Sequence, residues 1–269
     1  MIPLLLIILI GVIAQFTDGT LGMGYGVTSA TALLALGFLP AAASASIHTA
    51  QIFTSLVSGG VHYKLGNVRS DIATPLTITG VIGGVLGAYT AVTLPVLPLK
   101  TMVSLVLLIM GVVIVSRFIH NHRRNNGSDR YLPDGGQVLS YKGVHTISSK
   151  RLLTLGGFAG FIDAIGGGGW GPIATSNLVL IDDVKPREAV GSVNFAEFFQ
   201  TVAVSATFIV LLADLDWRVI GALILGGVVV APFAAILAKK MPHRVLGLAI
   251  GGSIILLSVH ILLGIFGVL

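Results

Sequence analysis

The sequence predicts an all-α polytopic membrane protein made of two inverted repeats. Of its 269 residues, 54% are hydrophobic and only 10% are charged, and the mean hydropathy is +0.96. Soluble domains carry about 25% charged residues, so this chain cannot cover itself with a hydrated surface. The apolar residues form long runs and do not alternate with polar ones, which argues against a transmembrane barrel. The runs also fall into two similar groups.

Each group contains five apolar segments. The first group lies at 2–17, 20–39, 43–62, 72–93 and 98–118, and the second at 152–165, 170–181, 190–213, 219–238 and 245–268. A membrane-spanning helix needs about 20 residues, so these segments leave no room for a soluble enzyme domain. We therefore predict a first transmembrane repeat at 1–118, a polar linker at 119–150 and a second repeat at 151–269.

Matching motifs indicate an internal duplication. With an offset of 145 residues, Asp18, Gly22, Gly24, Tyr25 and Gly26 match Asp163, Gly167, Gly169, Trp170 and Gly171. With an offset of 146 residues, Pro40, Ser46, His48, Gln51 and Gly80 match Pro186, Ser192, Asn194, Glu197 and Gly226. The order of these matches is too regular for shared apolar composition alone.

Loop charges orient the two repeats. Lys64 and Arg69 place the loop at 63–71 in the cytoplasm, because cytoplasmic loops carry an excess of Lys and Arg. The linker region from 117 to 151 holds seven basic and two acidic residues, so it is also cytoplasmic. The loop before Pro40 then lies outside and its counterpart before Pro186 inside. The repeats are therefore inverted. Both chain termini are predicted to lie on the outer side of the cytoplasmic membrane.

Each repeat is predicted to open with a glycine-broken or re-entrant helix hairpin. The first two segments are short and are joined by glycines, with no hydrophilic loop between them. A 16-residue helix spans about 24 Å, which is less than a hydrocarbon core of about 30 Å. Glycines weaken a helix, and Pro172 suits the first turn of a new one. Paired broken helices in inverted repeats indicate the substrate site of a transporter.

These breaks predict an anion site, because freed N–H groups and helix N-termini attract negative charge. Hydroxyl and amide side chains near the start of each third segment would add hydrogen-bond donors. The predicted substrate-binding residues are Gly22, Gly24, Tyr25, Ser46, Thr49, Gly167, Gly168, Gly169, Trp170, Ser192 and Asn194. The alternative is that the glycines only allow close helix packing.

Five polar residues in the matched motifs are candidates for carrying a coupling proton. They are Asp18, His48, Gln51, Asp163 and Glu197. Ionisable groups at membrane depth are costly and are functional by default. As an alternative, Asp163 and Glu197 would cap the broken helices, and His48 would hydrogen-bond a backbone carbonyl.

The motifs also resemble a known family. The run from Ser44 to Val68, ending His62-Tyr63-Lys64-Leu65-Gly66-Asn67-Val68, is similar to the TauE/SafE sulfite exporters, also called toluene-sulfonate uptake permeases. Gly157 and Gly160, leading into the cluster at 166–172, belong to the same resemblance, which covers essentially the whole chain. It implies a secondary transporter for sulfite, thiosulfate, sulfoacetate or other organosulfonates.

The leading hypothesis is a secondary active transporter that moves a sulfur-containing anion by alternating access, with protons as the coupling ion. The chain contains no nucleotide-binding motif, no cysteine and no His-Glu-x-x-His pair, which argues against an enzyme, a cofactor or a metal site. The expected partners are the small anion, protons and the lipid bilayer, with no nucleic acid. Two alternatives remain: a cation or cation-coupled transporter that uses Asp18, Asp163 and Glu197, and a passive anion channel.

Overall fold

The described part of the chain folds into ten α-helices. The computed structural model describes residues 3–21, 23–124, 147–179, 184–212, 214–238 and 243–267. The first five helices are α1 (Leu4–Leu21), α2 (Tyr25–Ala35), α3 (Pro40–Lys64), α4 (Ser70–Thr93) and α5 (Val96–Arg124). The second five are α6 (Ser149–Gly166), α7 (Ser176–Val179, preceded by a π-helical turn at Gly171–Thr175), α8 (Pro186–Leu211), α9 (Trp217–Ala238) and α10 (His243–Ile265). Most of the predicted linker lies outside the described residues.

The all-α membrane class is confirmed. Each predicted apolar segment corresponds to one helix or, at 170–181, to the π-turn and α7. Within the described ranges, four helices are long and apolar enough to cross a membrane, at Ser70–Thr93, Val96–Ile119, Arg187–Leu211 and Gly247–Ile265. Shorter apolar stretches occur at Leu4–Asp18, Tyr25–Ala35 and Trp217–Ala231. The chain is therefore a multi-pass membrane protein.

The helices break at the two glycine clusters. Helix α2 is preceded by Gly24 with a φ of 134°, and α6 is followed by Gly167 with a φ of 71°. Side chains with a Cβ rarely adopt such positive φ angles, so glycine is the residue that allows the chain to turn here. Both hairpins therefore change direction inside the protein. Each turn uses a positive φ angle at a glycine.

Helix packing is shared between the two halves in a symmetrical way. Helix α1 packs on α9 and α4 packs on α6, whereas α3 packs on α8 and α5 on α10. If α1–α5 are exchanged with α6–α10 in order, this set of contacts maps onto itself. Halves related by a two-fold axis would produce this pattern. The repeat boundaries and the opposite orientation of the halves in the membrane stay predictions.

Glycines form close backbone contacts at two of these interfaces. A methyl group on Gly160 would overlap the carbonyl oxygen of Gly80, on α4. A methyl group on Gly226 would overlap the carbonyl oxygen of Ile8, on α1. Gly80 and Gly226 are repeat mates, and each lies where two helices approach closely, α4 with α6 and α9 with α1. Small residues allow this close backbone approach between membrane helices.

We expect Gly226→Ala to lower the thermal stability of the purified protein, since its new Cβ would meet the α1 backbone. Overpacking typically costs about 1–3 kcal/mol. The matched control is Gly221→Ala on the same helix, where a new Cβ meets nothing within 4 Å. That control should leave the melting temperature unchanged or slightly raised, because alanine favours helix. Equal melting temperatures for the two variants would contradict close packing at Gly226.

The inverted orientation of the repeats has a direct test, since the native chain has no cysteine. Leu39 and Lys185 are exposed, precede α3 and α8, and occupy matching positions. Single cysteines at these two positions should react with a membrane-impermeant maleimide from opposite sides of the membrane. Labelling of both from the same side would contradict inversion.

Candidate functional site

The two helix breaks touch each other, backbone against backbone. A methyl group on Gly26 would lie 2.8 Å from the Cα of Gly168. A methyl group on Gly171 would lie 3.0 Å from the Cβ of Met23. With the offset of 145 residues, Gly26 matches Gly171 and Met23 matches Gly168, so these two contacts are repeats of one another. A two-fold axis that relates the halves would pass through this crossing of the breaks.

A small pocket lies at this crossing, and each half contributes six described residues to its wall. They are Asp18, Gly24, Tyr25, Gly26, Val27 and Gln51 from the first half, and Asp163, Gly169, Gly171, Pro172, Asn194 and Glu197 from the second. About 10 Å³ is open to the centre of a water molecule, which is room for about one water. The pocket is closed to anything larger in this conformation.

Two aspartates each hold the restarted helix of their own hairpin. The backbone N–H of Trp170 donates to Asp163 Oδ1 at 3.0 Å. In the first half, the backbone N–H of Tyr25 donates to the carboxyl group of Asp18. The helix-capping role that the sequence offered as an alternative for Asp163 is therefore present. These caps place negative groups where the helix N-termini would otherwise face the pocket unopposed.

His48 and Asp163 form a fully buried pair. His48 Nε2 lies 3.0 Å from Asp163 Oδ2, and His48 Nδ1 lies 2.8 Å from the carbonyl oxygen of Ser44. A carbonyl only accepts hydrogen bonds, so Nδ1 carries a proton. The contact between Nε2 and the carboxyl then needs one further proton, on either partner. The pair in this geometry is therefore neutral overall and holds one proton between two groups that can each bind it.

Two further side chains complete this network, and sequence reasoning missed both. The Ser44 hydroxyl donates to the carbonyl oxygen of Ala164 at 2.6 Å, and the Gln200 amide donates to Asp163 Oδ2 at 3.2 Å. Ser44 lies one turn before His48, and Gln200 lies three residues after Glu197. Residues at this spacing share one face of a helix, so the spacing could have identified both. The network joins α3, α6 and α8 at the second break.

Gln51 and Glu197 face each other across the centre of the pocket. Gln51 Nε2 donates to Glu197 Oε1 at 3.2 Å, and the two residues are repeat mates, 146 positions apart. Residues related by a two-fold axis touch only close to it, so this bond is the contact that an axis through the pocket would produce. Gln51 Oε1 is buried and has no hydrogen-bond partner among the described residues.

Some predicted substrate-binding residues lie behind the pocket wall. Ser46 and Thr49 are buried, and their hydroxyls donate to carbonyl oxygens four residues earlier in α3. Ser192 accepts a hydrogen bond from the backbone N–H of Arg69, at 2.9 Å, outside the pocket. Their role in substrate binding stays a prediction.

The remaining candidates divide between the pocket and its supports. Gly24, Tyr25, Gly169 and Asn194 line the pocket, whereas Gly167, Gly168 and Trp170 support it from behind. The Trp170 indole N–H donates to the carbonyl oxygen of Val193, which fixes the ring on α8. Gly22 lies outside the described residues.

Comparison with known proteins places the chain in a family. The family model of the TauE/SafE sulfite exporters matches residues 7–261, nearly the whole chain. The chain belongs to this family. It is also 39% identical over 256 residues to YtnM of Bacillus subtilis (strain 168), described as a probable membrane transporter protein, with 94% of this chain and 81% of the relative covered. No solved structure is detectably similar to it. The TauE/SafE resemblance seen in the motifs is confirmed, and the protein is a membrane transporter of this type.

We expect His48→Gln and Asp163→Asn each to destabilise the protein by about 3 kcal/mol, because either change leaves a buried polar partner without its pair. The double variant should lose clearly less stability than the sum of the two. Thermal unfolding of the four proteins in detergent measures this coupling. Lys185→Gln, which removes an exposed lysine 3.5 Å from Glu188, is the control and should change little. Additive losses would show that the His48–Asp163 contact contributes no coupling.

Proposed function

We propose that this TauE/SafE protein is a secondary active transporter that carries a small sulfur-containing oxyanion across the cytoplasmic membrane together with protons. Sulfite, sulfoacetate and other sulfonates are the substrate candidates. The substrate class follows from the family, and the proton coupling follows from the charge of the pocket. Transport proceeds by alternating access of the two halves to the site at their crossing.

The acidic wall of the pocket is the observation that carries the coupling. Three carboxyl groups line it, those of Asp18, Asp163 and Glu197, and the described wall contains no Lys or Arg. Two unit charges 4 Å apart interact by about 4 kcal/mol at the effective dielectric typical of protein sites. His48 offsets the charge of one carboxylate at most. An anion therefore binds here only when protons have neutralised the other carboxyl groups.

The hydrogen bond between Gln51 and Glu197 can link proton binding to anion binding. An ionised Glu197 accepts hydrogen bonds only, and it holds the Gln51 amide N–H. When Glu197 takes up a proton, its O–H can donate to Gln51 Oε1 once the amide has turned over. The amide N–H₂ is then free to donate to an oxyanion in the pocket. Proton binding thus both removes a negative charge and provides a donor.

The closed pocket requires the halves to move. It has room for about one water molecule, whereas a sulfite or sulfonate group contains a central sulfur with three oxygens. Rocking of one half against the other about the glycine crossing would widen the pocket on one side at a time. In such a movement, α1 would shift against α9 and α4 against α6, since these are the matched contacts between the halves.

A cation transporter is the second candidate, and the same three carboxyl groups favour it. Carboxylate oxygens are the ligands that hard cations prefer. Against it, no group of three or more His, Asp or Glu side chains converges as a metal site would, in the part of the chain that the structure describes. The protonated form of the pocket suits an anion better than a metal ion.

Uptake assays in proteoliposomes test the proposal. We expect the purified full-length protein to accumulate sulfite or sulfoacetate when the outside is made acidic, without a requirement for Na⁺. Glu197→Gln should reduce uptake driven by the pH gradient by roughly tenfold or more, because the variant cannot gain or lose a proton there. Glu188→Gln, the same change on the same helix but beside the α3–α4 loop, should retain the response.

The other outcomes identify the alternatives. A Glu197→Gln protein that equilibrates the anion and responds fully to the pH gradient would indicate a passive channel. Transport of Na⁺ or another cation with no sulfur oxyanion present would indicate the cation transporter.

A further inference from the structure

Arg117 is a cationic side chain in α5 whose hydrogen-bond partners among the described residues are neutral. Its Nη1 lies 3.1 Å from the Sδ of Met23 and 3.4 Å from the Oγ of Ser176. The Ser176 hydroxyl itself lies 3.9 Å from the same sulfur. Among the described residues, no Asp or Glu forms an ion pair with this guanidinium. A partly buried charge with no counterion is energetically costly and needs an explanation.

Membrane anchoring does not supply that explanation. Helix α5 continues for seven residues beyond Arg117 to Arg124, which is about 10 Å of helix. The last turns already carry Arg123 and Arg124, at the end predicted to face the cytoplasm. Arg117 lies within the apolar span Val96–Ile119 and turns towards the two hairpins.

Met23 contacts both this guanidinium and a residue of the pocket wall. A methyl group on Gly171 would lie 3.0 Å from the Cβ of Met23, and Gly171 lines the pocket. Gly24, next to Met23 in the chain, also lines it. Methionine is unbranched and flexible, so its thioether can change rotamer at low cost. The Met23 residue therefore lies against the cation on one side and against the pocket wall on the other.

We propose that Arg117 is the cationic partner of the transported oxyanion, and that it pairs with the anion when the thioether of Met23 swings aside. This inference rests on the proposed anion transport. A guanidinium presents a planar fork of N–H donors, which suits two oxygens of one sulfur oxyanion. It also supplies the positive charge that the acidic pocket wall lacks. The hydroxyl of Ser176, beside the guanidinium, can donate to a third oxygen.

Arg117 lies towards the predicted cytoplasmic side of the membrane. It lies near the end of α5 that leads into the basic linker, which is the end predicted to face the cytoplasm. The anion then meets Arg117 as it passes between the pocket and the cytoplasm. Arg117 is thus a substrate-binding residue separate from the proton-carrying groups.

Initial rates of sulfite uptake into proteoliposomes test this role, with the full chain as wild type, Arg117→Gln, Arg117→Lys and Arg151→Gln. We expect Arg117→Gln to raise KM for sulfite roughly 10- to 100-fold while the maximal rate stays within about threefold, since a charge-assisted hydrogen bond is lost. Arg117→Lys should show a smaller rise, because it keeps the charge but loses the planar fork. Arg151→Gln removes an exposed arginine from the start of α6 and should match wild type.

Each result separates this inference from the proposed function. Wild-type uptake of sulfite with an unchanged KM in Arg117→Gln would overturn the role of Arg117 and leave the proposed function intact. Absence of wild-type uptake of sulfite, sulfoacetate and other sulfonates would overturn the proposed function and this inference with it. If Arg117→Gln does not run as a single species on size exclusion, Arg117→Lys decides, and an unchanged KM there overturns the role.

Discussion

The backbone contact between the two helix breaks is the constraint on which the rest of the site depends. Gly26 and Gly168 approach so closely that a Cβ added to either would overlap the backbone of the other helix break. This contact brings two restarted helices, and the aspartates that cap them, to one point. Without it, Asp18 and Asp163, which belong to separate hairpins, would not line one pocket with Glu197 of α8. Glycine therefore acts here through the space it leaves as well as through its backbone freedom.

Carboxyl groups at this point give the site its chemical character. Asp18 and Asp163 each satisfy the first N–H of a restarted helix, so a structural contact also places a carboxyl group in the pocket wall. Glu197 adds a third where the repeats meet. The two halves differ at the buried histidine: His48 pairs with Asp163, while its repeat mate is Asn194. A transporter built from matched halves thus gains one titratable pair on one side only, and Arg117 lies close to the other break.

The sequence by itself determined the class, the helices and the breaks. Hydropathy runs and glycine clusters act locally, which is why the predicted segments agree with the helices from α1 to α10. Repeat matching also placed residues together: Asp18, Gln51, Asp163 and Glu197 all line one pocket. A duplication relates positions by a fixed offset, so pairs such as Gln51 and Glu197 could be found without coordinates.

Only the tertiary structure decided which candidates reach the pocket and what they contact. Ser46, Thr49 and Ser192 carry suitable donors, yet rotation about the helix axis and local hydrogen bonds turn them elsewhere. Ser44 and Gln200 join the buried network through contacts more than 30 residues away in the chain, and Arg117 meets Met23 94 positions apart. Such contacts depend on how helices are rotated and packed against one another, which residue types and spacing within one helix do not specify.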